Sequence, residues 1–381
     1  MPAEYYGDAA ENTYRLCLGV ARVGCDVQVL TTDADGPRRT ADVEHGREIL
    51  VAAGFRVRYA HRLPYVTVTP GLRLRVLLET RKADVVHLTG CNPAIAMPTL
   101  AACAVFHKPI VWSLRGALQR WRGGGWKIGP GVTATIGRRL APRRIALHAV
   151  SEEERAACAA RMPGVAVAMI PNGVRIPPEP QHEPGDGRLR IGFAGRLEPR
   201  QALGNLLEAA ALLRASGPAF SITIASVGEP RLQRDLRDRV ARLGLGETVT
   251  IIDRVGGSAR RRFFEHLDLF VLPSHFENFG AAVAKALARG VPVIASRGTP
   301  WRQLDERGCG LWVDNDPASL AAAIRRMSAM PLAEMGARGR EWMRREFDWS
   351  AAARRMCNLY AALSHDLPLP LTEAATGLLQ T

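Results

Sequence analysis

The residues best suited to chemistry lie in a loop that follows the apolar run 269–272 and precedes an alanine-rich helical segment at 281–289. A loop that leaves a buried parallel strand and enters a helix presents unpaired N–H groups and the positive end of the helix dipole, which favour a bound anion. We expect that anion to be a nucleotide diphosphate; an ordinary strand–helix–strand unit without a ligand is the alternative interpretation. The candidate residues of this loop are Glu277, Asn278, Phe279 and Gly280.

A second strand and helix are joined through a glycine about 80 residues earlier in the chain. The run 191–194 predicts a buried strand, and the spacing of leucine and alanine over 203–210 predicts a helix with one apolar face. Between them, Gly195 permits a close approach of the backbone to a ligand, and Arg196 offers a rigid fork of N–H donors suited to phosphate. A surface or capping role is the structural alternative for both Arg196 and Glu277.

Both loops belong to a regular alternation of strands and helices in the second half of the chain. In the first half, buried parallel strands are predicted at 84–88 and 109–113, and the segment 47–53 is predicted to be helical. The predicted strands of the second half are 190–194, 220–226, 248–252, 269–272 and 292–295.

This alternation predicts two α/β domains joined by a stretch rich in proline and glycine. The strand that normally opens such a domain is apparently missing from the first one, because only six residues precede Gly7. The expected boundaries are 1–175 for the first domain, 176–188 for the linker, 189–349 for the second domain, 350–365 for a helix that returns to the first domain, and 366–381 for a loose tail.

The composition of the 381 residues is that of a globular enzyme, and no apolar run approaches the ~18 residues needed to span a bilayer. The first 14 residues carry three acidic side chains and no apolar core, so no signal peptide is expected. Seven cysteines without a Cys-x-x-Cys pair favour reduced thiols and a cytoplasmic location. The nine histidines are scattered, and no metal site is predicted.

The net charge of +14 is unevenly placed, because the segment 115–144 holds eight arginine or lysine residues and no acidic residue. Trp121 and Trp126 lie within it. A basic segment with tryptophans suits an anionic membrane surface, at about 1 kcal/mol per basic residue near the headgroups. Nucleic acid is the competing partner, which we consider the weaker of the two, and a merely solvated loop is the third interpretation.

Eight short motifs in the two halves of the chain belong together: 84–87, 113–116, 171–174, 193–199, 269–274, 277–280, 290–294 and 299–301. Jointly they resemble the family-4 type of retaining glycosyltransferases of the GT-B fold. The resemblance runs from residue 11 to about residue 363. The motifs at 84–87 and 113–116 resemble the exopolysaccharide-assembly branch of that family.

The resemblance implies two Rossmann-like, doubly wound domains that face each other across a cleft. It implies transfer of a hexose-type sugar, with retention, from a nucleotide-diphosphate donor to a glycan or lipid-linked acceptor. Cell-surface polysaccharide assembly at the inner face of the cell membrane is the implied setting, with no cofactor or metal required.

Site residues follow from the same resemblance. In the family an arginine and a lysine stabilise the leaving diphosphate, and Arg196 matches the arginine. Glu277 matches the first acid of a paired-glutamate motif that contacts the donor sugar, while the N–H groups of Phe279 and Gly280 face the donor. Arg115 occupies a position where many relatives have histidine, and it is expected to touch the sugar or the phosphate.

Several positions depart from the family pattern. The phosphate-binding lysine falls on Gln201, a neutral donor, and the next position has Ala202 in place of glycine; the lost charge is worth on the order of 1 kcal/mol or more in a dry site. The second acid falls on Lys285, which cannot accept a hydrogen bond from ribose hydroxyls. The amino-terminal phosphate loop, usually two glycines, has Gly7 followed by Asp8.

Two functions of different class are compatible with these departures. One is an active glycosyltransferase in which Lys285 or Arg200 serves the diphosphate. The other is a catalytically impaired relative that keeps the fold and acts as a binding or partner protein. A dinucleotide-dependent oxidoreductase is disfavoured, because no Gly-x-Gly-x-x-Gly follows a predicted strand.

Overall fold

The computed structural model describes residues 8–36, 39–51, 54–61, 70–119, 128–178, 187–252 and 257–369. The chain divides into two compact units. The first unit comprises Met1–Gly173 and Trp349–Thr381, and the second is Val174–Asp348. Gly7, much of the predicted linker and most of the predicted tail lie outside the described residues.

The first unit contains one sheet of four strands and one of three among its described residues. Its strands are β1 (Gln28–Thr32), β2 (Glu48–Val51), β3 (Phe55–Ala60), β4 (Val86–Thr89), β5 (Ile110–Ser113), β6 (Ile145–Ala149) and β7 (Ala166–Met169). Its helices are α1 (Asp8–Arg22), α2 (Pro70–Lys82), α3 (Pro93–Val105), α4 (Ile128–Leu140), α5 (Glu152–Arg161) and the C-terminal helix (Trp349–Ser364).

Strands β4 to β7 lie in sequence order and pair in parallel, which confirms the two parallel strands predicted for this half. The smaller sheet has the order β1-β3-β2, with β1 parallel and β2 antiparallel to β3. The predicted helix at 47–53 is wrong, since Glu48–Val51 is strand β2. The side chains of β2 alternate between exposed and half-buried, as expected for a strand with one face toward solvent. Pairing with β3 supplies hydrogen-bond partners for its backbone.

The second unit contains one six-stranded sheet flanked by helices. Its strands are β8 (Leu189–Arg196), β9 (Phe220–Val227), β10 (Val249–Ile252), β11 (Leu269–Leu272), β12 (Val293–Ser296) and β13 (Gly310–Val313). Its helices are α6 (Leu203–Ser216), α7 (Pro230–Arg242), α8 (Gly257–Glu265), α9 (Ala281–Leu287), α10 (Pro317–Ser328) and α11 (Leu332–Glu346).

The sheet of the second unit has the order β10-β9-β8-β11-β12-β13, and each neighbouring pair is parallel. All five predicted strands are confirmed; β13 is an additional one. The order reverses between β8 and β11, because the chain moves outward to β10, returns, and then moves outward to β13. In doubly wound sheets, ligands bind beyond the carboxyl ends of the strands at such a switch point.

The central strands of this sheet are apolar because helices cover both of their faces. Strand β11 is fully buried along its length, and Ile191 and Phe193 of β8 have no exposed surface. Helix α6 buries Leu206, Leu207 and Leu213 against the sheet. These contacts hold the carboxyl ends of β8 and β11 side by side.

A chain of four polar side chains crosses the core of the first unit. Tyr360 of the C-terminal helix lies 2.5 Å from His87 Nδ1, and His87 Nε2 lies 2.6 Å from the Ser113 hydroxyl. That hydroxyl lies 2.6 Å from His148 Nδ1, and His148 Nε2 donates to the Ile170 carbonyl at 2.8 Å. Since a carbonyl only accepts, the donors run in one direction, from the Tyr360 hydroxyl through His87 and Ser113 to His148.

The imidazoles of His87 and His148 are both neutral. Burial, reinforced by the nearby Arg115 cation, lowers the pKa of His148 to about 3. Burial likewise lowers the pKa of His87, with smaller contributions from His148 and Arg115, and burial raises the pKa of Tyr360. The network therefore links β4, β5 and β6 to the C-terminal helix without placing a charge in the core.

Ala202 has a left-handed backbone, with φ 49° and ψ 35°, at the start of helix α6. This conformation costs an L-residue with a Cβ roughly 1–2 kcal/mol, and glycine adopts it freely. The turn Pro199–Gln201 immediately precedes it. The glycine expected at this position in the resembled family therefore suits the backbone better than the alanine present.

We predict that Ala202→Gly raises the stability of the second unit by up to about 1 kcal/mol, since relief of strain exceeds the added freedom of the unfolded chain. The thermal midpoint measured by circular dichroism checks this. Ala329→Gly is the matched control, because Ala329 is an exposed helix-capping residue with φ −99° and should gain nothing. An equal or lower midpoint for Ala202→Gly than for the wild type would contradict the strain argument.

We also predict that acid destabilises the first unit through His148. The unfolded chain binds a proton at this residue near its ordinary pKa of about 6.5, whereas the folded chain resists it down to about pH 3. Stability therefore falls as the pH drops through that window, by on the order of 4 kcal/mol for this residue alone. His148→Gln should flatten the dependence of unfolding free energy on pH between 6.5 and 4, which urea titrations measure.

The control for this experiment is His365→Gln, because His365 is exposed on the same unit and should leave the slope unchanged. A titration of the folded-state His148 imidazole close to pH 6.5 in NMR spectra would rule out the assigned cause.

Candidate functional site

The loops that follow β8 and β11 lie next to each other at the switch point of the second unit. The two strands pair in parallel, with Leu269 opposite Ile191 and Phe270 opposite Gly192, so their carboxyl ends meet at the same sheet edge. The backbone N–H of His275 donates to the Arg200 carbonyl at 2.7 Å, which ties one loop to the other. The two chemistry-bearing segments predicted from the sequence are thus brought together.

Glu277 is the centre of the side-chain contacts between these loops. Its Oε1 accepts from Gln201 Nε2 at 3.0 Å and lies 3.1 Å from the Ser274 hydroxyl, while its Oε2 accepts from Arg200 Nη1 at 3.3 Å. The Ser274 hydroxyl also lies 2.9 Å from Gln201 Oε1. The Glu277 side chain is 14% exposed, so the carboxylate is held mostly away from solvent and in one orientation.

Arginine and glutamate side chains alternate along the edge of this site. Arg196 Nη1 lies 3.4 Å from Glu198 Oε1, and Arg200 Nε lies 2.6 Å from Glu198 Oε2. Arg200 then pairs with Glu277, which gives the series Arg196, Glu198, Arg200 and Glu277. We call these four residues the ion-pair series. Glu198 and Arg200 connect Arg196 to Glu277 in this series.

The charge of Arg200 is permanent in this setting. Burial by itself would lower the pKa of Arg200, but the Glu277 and Glu198 carboxylates outweigh burial, so the pKa is raised. Two guanidinium groups are therefore held in place by carboxylates before any ligand arrives. Preorganised cations of this kind can stabilise negative charge that develops on a bound group.

Gln201 and Gly195 lie behind the ion-pair series. Gln201 is 4% exposed, and its amide spans the gap between Ser274 and Glu277. A Cβ added at Gly195 would lie 2.9 Å from the Phe193 ring and 3.6 Å from Gln201 Oε1. The glycine therefore leaves room for the Phe193 ring at the end of β8.

The segment 278–280 is anchored by aromatic packing. Phe279 is 7% exposed and its ring packs against Trp301 at 5.5 Å, while Trp301 Nε1 donates to the Phe279 carbonyl at 2.6 Å. Gly280 caps α9 with φ 71°. The Asn278 Oδ1 atom is buried and has no hydrogen-bond partner among the described residues.

Helix α9 is shorter than the predicted 281–289, because it ends at Leu287 and turns through Gly290 with φ 74°. Lys285 lies on this helix and is half-buried. Arg289 donates to the Lys285 carbonyl at 2.9 Å.

Arg115 belongs to the first unit and has a left-handed backbone with φ 54° at the end of β5. Its Nη1 donates to Asn172 Oδ1 at 3.0 Å, so the motifs at 113–116 and 171–174 meet. Burial lowers the pKa of Arg115, although the Glu154 carboxylate opposes the shift. The Nε and Nη2 atoms are buried and have no hydrogen-bond partner within the described part of the chain.

The loop that carries Arg115 is fixed by a buried carboxylate. Glu154 is 1% exposed and accepts hydrogen bonds from the backbone N–H groups of Gly116 and, at 2.9 Å, Val150. The unpartnered guanidinium donors are therefore held by the backbone in a fixed place. Buried donors without partners are uncommon in folded proteins and indicate a place for an oxygen-bearing group.

Sequence reasoning missed several residues of these sites. Glu198 and Ser274 lie inside motifs that the sequence analysis used. Glu198 pairs with its near neighbours Arg196 and Arg200, whereas the contact of Ser274 with Gln201 depends on the pairing of β8 with β11. His148 carried no sequence signal, because its role follows from its contact with Ser113. Gly7, also expected at the donor site, lies outside the described residues.

The described helices include none that is both long enough and apolar enough to cross a membrane.

Comparison with known proteins identifies both halves of the chain. Residues 9–176 match the family Glycosyltransferase Family 4, and residues 188–329 match the family Glycosyl transferases group 1. The chain is 25% identical over 399 aligned positions to glycogen synthase of Mycobacterium tuberculosis, covering 95% of this chain and 92% of that protein.

Solved structures of similar proteins agree with the fold. Sucrose-phosphate synthase from Thermosynechococcus elongatus superposes with a TM-score of 0.74 at 19% identity, covering 94% of each chain. The Anabaena HepE protein in complex with UDP-glucose superposes with a TM-score of 0.71 at 18% identity, covering 93% of this chain and 96% of that one. With a family 4 domain followed by a group 1 domain, each an α/β Rossmann-like unit, this chain is a glycosyltransferase of the family-4 type with the GT-B fold.

Proposed function

We propose that this protein transfers a hexose-type sugar, with retention, from a nucleotide-diphosphate donor to a glycan or lipid-linked acceptor in cell-surface polysaccharide assembly. The ion-pair series at the switch point of the second unit is the observation that carries this proposal. Arg196 and Arg200 supply the positive charge that a departing nucleotide diphosphate needs, so no metal ion is required for that step. The nucleotide is a uridine diphosphate, as in the complex of the structurally similar HepE protein.

Arg200 takes the role that a lysine plays in the resembled family. Its Nε and Nη1 atoms are engaged by Glu198 and Glu277, which leaves the Nη2 amino group for a phosphate oxygen. Gln201, at the lysine position itself, has a different task, because its amide nitrogen holds Glu277. Position 200 thereby supplies the positive charge that the family has at position 201.

Glu277 contacts the donor sugar in this proposal. Its ionised carboxylate is an acceptor for sugar hydroxyl groups, and Gln201, Ser274 and Arg200 hold it in one orientation. The Asn278 amide oxygen, unpartnered among the described residues, is a further acceptor in the same loop. In the first unit, the Nε and Nη2 atoms of Arg115 are donors for the sugar or the phosphate.

A catalytically impaired relative that binds a glycan, a nucleotide or a partner protein is the second candidate. Lys285 favours this second candidate, because its ammonium group cannot accept hydrogen bonds from the ribose hydroxyl groups. The ion-pair series favours the enzyme, because four charged residues with a net charge of zero still expose two cations that a dianionic ligand can engage. Nucleotide binding followed by transfer assays decides between the two.

A peripheral contact with the inner face of the cell membrane is part of the proposal. Within the basic segment 115–144, helix α4 exposes Val132, Ile136 and Leu140 at 49%, 43% and 37%. These residues recur every four positions and therefore share one side of the helix, next to the basic last turn at Arg138 and Arg139. An apolar stripe beside arginines suits the boundary between headgroups and acyl chains. Residues 120–127 of this segment lie outside the described residues.

We predict that Arg200→Gln and Arg196→Gln each weaken the binding of UDP by about tenfold to a hundredfold. A hydrogen bond to a charged group contributes roughly 1.5–3 kcal/mol, and each substitution removes at least one such bond. Isothermal titration calorimetry with UDP measures the loss. Arg231→Gln is the control, because Arg231 is exposed on α7 and should leave the affinity unchanged.

UDP affinity in Arg200→Gln equal to that of the wild type would remove Arg200 from the donor site. Release of the nucleotide from a panel of UDP-sugars, with products identified by mass spectrometry, tests transfer itself. Binding of UDP without any turnover by the wild type, together with turnover after Gln201→Lys and Lys285→Glu are combined, would establish the impaired relative instead.

For the membrane contact, we predict that Val132→Ser combined with Ile136→Ser reduces binding to phosphatidylglycerol vesicles by about tenfold, because two apolar side chains leave the interface. Cosedimentation measures this, with phosphatidylcholine vesicles as the neutral surface. Leu212→Ser is the matched control, since Leu212 is 49% exposed on α6 of the other unit. Unchanged cosedimentation of the double variant would contradict a contact through α4.

A further inference from the structure

Two histidines and a buried aspartate meet at the edge of the smaller sheet in the first unit. The residues are Asp33, His45 and His61, which we call the His–His–Asp cluster. None of them takes part in the sugar-transfer sites described above. They lie far apart in the sequence, at intervals of 12 and 16 residues, so spacing alone gave no indication of a shared site.

The topology of the sheet explains why they meet. Thr32 of β1 is paired with Ala60 of β3 in a parallel ladder, so Asp33 and His61 are the next residues at the carboxyl edge of both strands. The Asp33 N–H donates to the Ala60 carbonyl at 3.1 Å, which continues the ladder by one bond. His45 lies three residues before β2 and forms a β-bridge with Tyr59 of β3. This bridge brings His45 to the same edge of the sheet.

The donor atoms of the cluster converge on one point. His45 Nε2 and His61 Nδ1 each lie 2.8 Å from the same oxygen, Oδ2 of Asp33, and all three ligand atoms lie within 4.8 Å of one another. The Asp33 side chain is 1% exposed, whereas His45 and His61 are 40% and 60% exposed. The two rings cross at 84° with centroids 5.1 Å apart, so they present their nitrogens to the carboxylate from different directions.

A buried carboxylate is unfavourable unless positive charge or hydrogen bonds compensate it. The two imidazoles donate hydrogen bonds to one Asp33 oxygen, and a divalent cation at the point of convergence would supply positive charge to the same oxygen. Two imidazole nitrogens and one carboxylate oxygen form a ligand set that suits zinc and other late divalent transition metals. The exposure of both rings leaves a fourth position open to water.

We propose that Asp33 Oδ2, His45 Nε2 and His61 Nδ1 bind a divalent transition-metal ion, with zinc as the best-matched ion. Tetrahedral zinc with ligand bonds of about 2.0–2.1 Å needs ligand atoms about 3.4 Å apart. The two oxygen-to-nitrogen distances of 2.8 Å therefore widen by about half an ångström as the ion enters. A rotation of the exposed rings provides that change without moving the strands.

Metal binding at this cluster requires the imidazole protons to change place. Each imidazole nitrogen that faces Asp33 carries the hydrogen of its hydrogen bond to the carboxylate, and that proton must leave the nitrogen before it ligates a metal. The ring can keep a proton on its other nitrogen, which remains toward solvent or a neighbouring acceptor. The bound ion joins the carboxyl edges of β1 and β3 to the chain that leads into β2.

This metal ion is separate from the sugar-transfer chemistry, and its predicted effect is on the stability of the first unit. The test uses the full chain without a polyhistidine tag, freed of metal with a chelator and then titrated with zinc chloride by calorimetry. We expect one zinc ion per chain. Zinc should also raise the thermal midpoint of the wild type.

His45→Gln and His61→Gln should each weaken zinc binding at least about tenfold and abolish the rise in midpoint. His365→Gln is the matched control, because His365 is an exposed histidine of the same unit. Cobalt(II) in place of zinc should give the visible absorption of a four- or five-coordinate site without a thiolate-to-metal band. The absence of that band separates this site from the seven cysteines.

The proposal is wrong if the metal-free wild type binds no zinc. It is equally wrong if both histidine variants bind zinc as tightly as His365→Gln does. A thiolate band in the cobalt spectrum of the wild type would place the metal on cysteine and overturn the assignment even if a histidine variant failed to fold.

Discussion

The parallel pairing of β8 with β11 is the constraint on which the candidate donor site depends. These two strands follow each other in the sheet but are separated by two strands and three helices in the chain. Their pairing places the loop after β8 directly beside the loop after β11, at the point where the sheet order reverses. Without it, Arg196 and Glu277 would be two isolated side chains on unrelated turns.

Electrostatic compensation within this site explains how the departures from the family pattern fit together. Glutamate residues separate the two arginines, so neither cation is left without a counter-charge before a ligand binds. A lysine at position 201 would compete with Arg200 for Glu277, whereas the Gln201 amide donates to Glu277 and lies within reach of Ser274. The neutral side chain at position 201 and the arginine at position 200 are therefore compatible with each other and together hold Glu277.

The sequence predicted the fold of the second unit well, because its central strands contain apolar runs that are buried on both faces, as in β11 and β12. It failed at 47–53, where a short half-buried strand depends on pairing with β3 and local spacing resembles a helix. Arg196, Glu277 and Arg115 were found through motifs, but the partners that orient them were not. The His148 contact with Ser113 and the convergence of Asp33, His45 and His61 arise from strand register, which a local pattern does not encode.

Two unusual backbone conformations near the sites also depend on contacts beyond the local sequence. Ala202 and Arg115 both have left-handed backbones at the ends of strands or helices that lead into the sites. Such conformations persist only when the surrounding contacts enforce them, and they occur often where a site needs a fixed geometry. For Arg115 the enforcing contact is visible in the buried Glu154 carboxylate that accepts from Gly116.

The most direct test of this account is a crystal structure of the protein soaked with UDP. The account predicts that the diphosphate lies beyond the carboxyl ends of β8 and β11, with phosphate oxygens within hydrogen-bonding distance of the guanidinium groups of both Arg196 and Arg200. A nucleotide bound elsewhere, or a diphosphate that leaves both arginines paired only with Glu198 and Glu277, would contradict it.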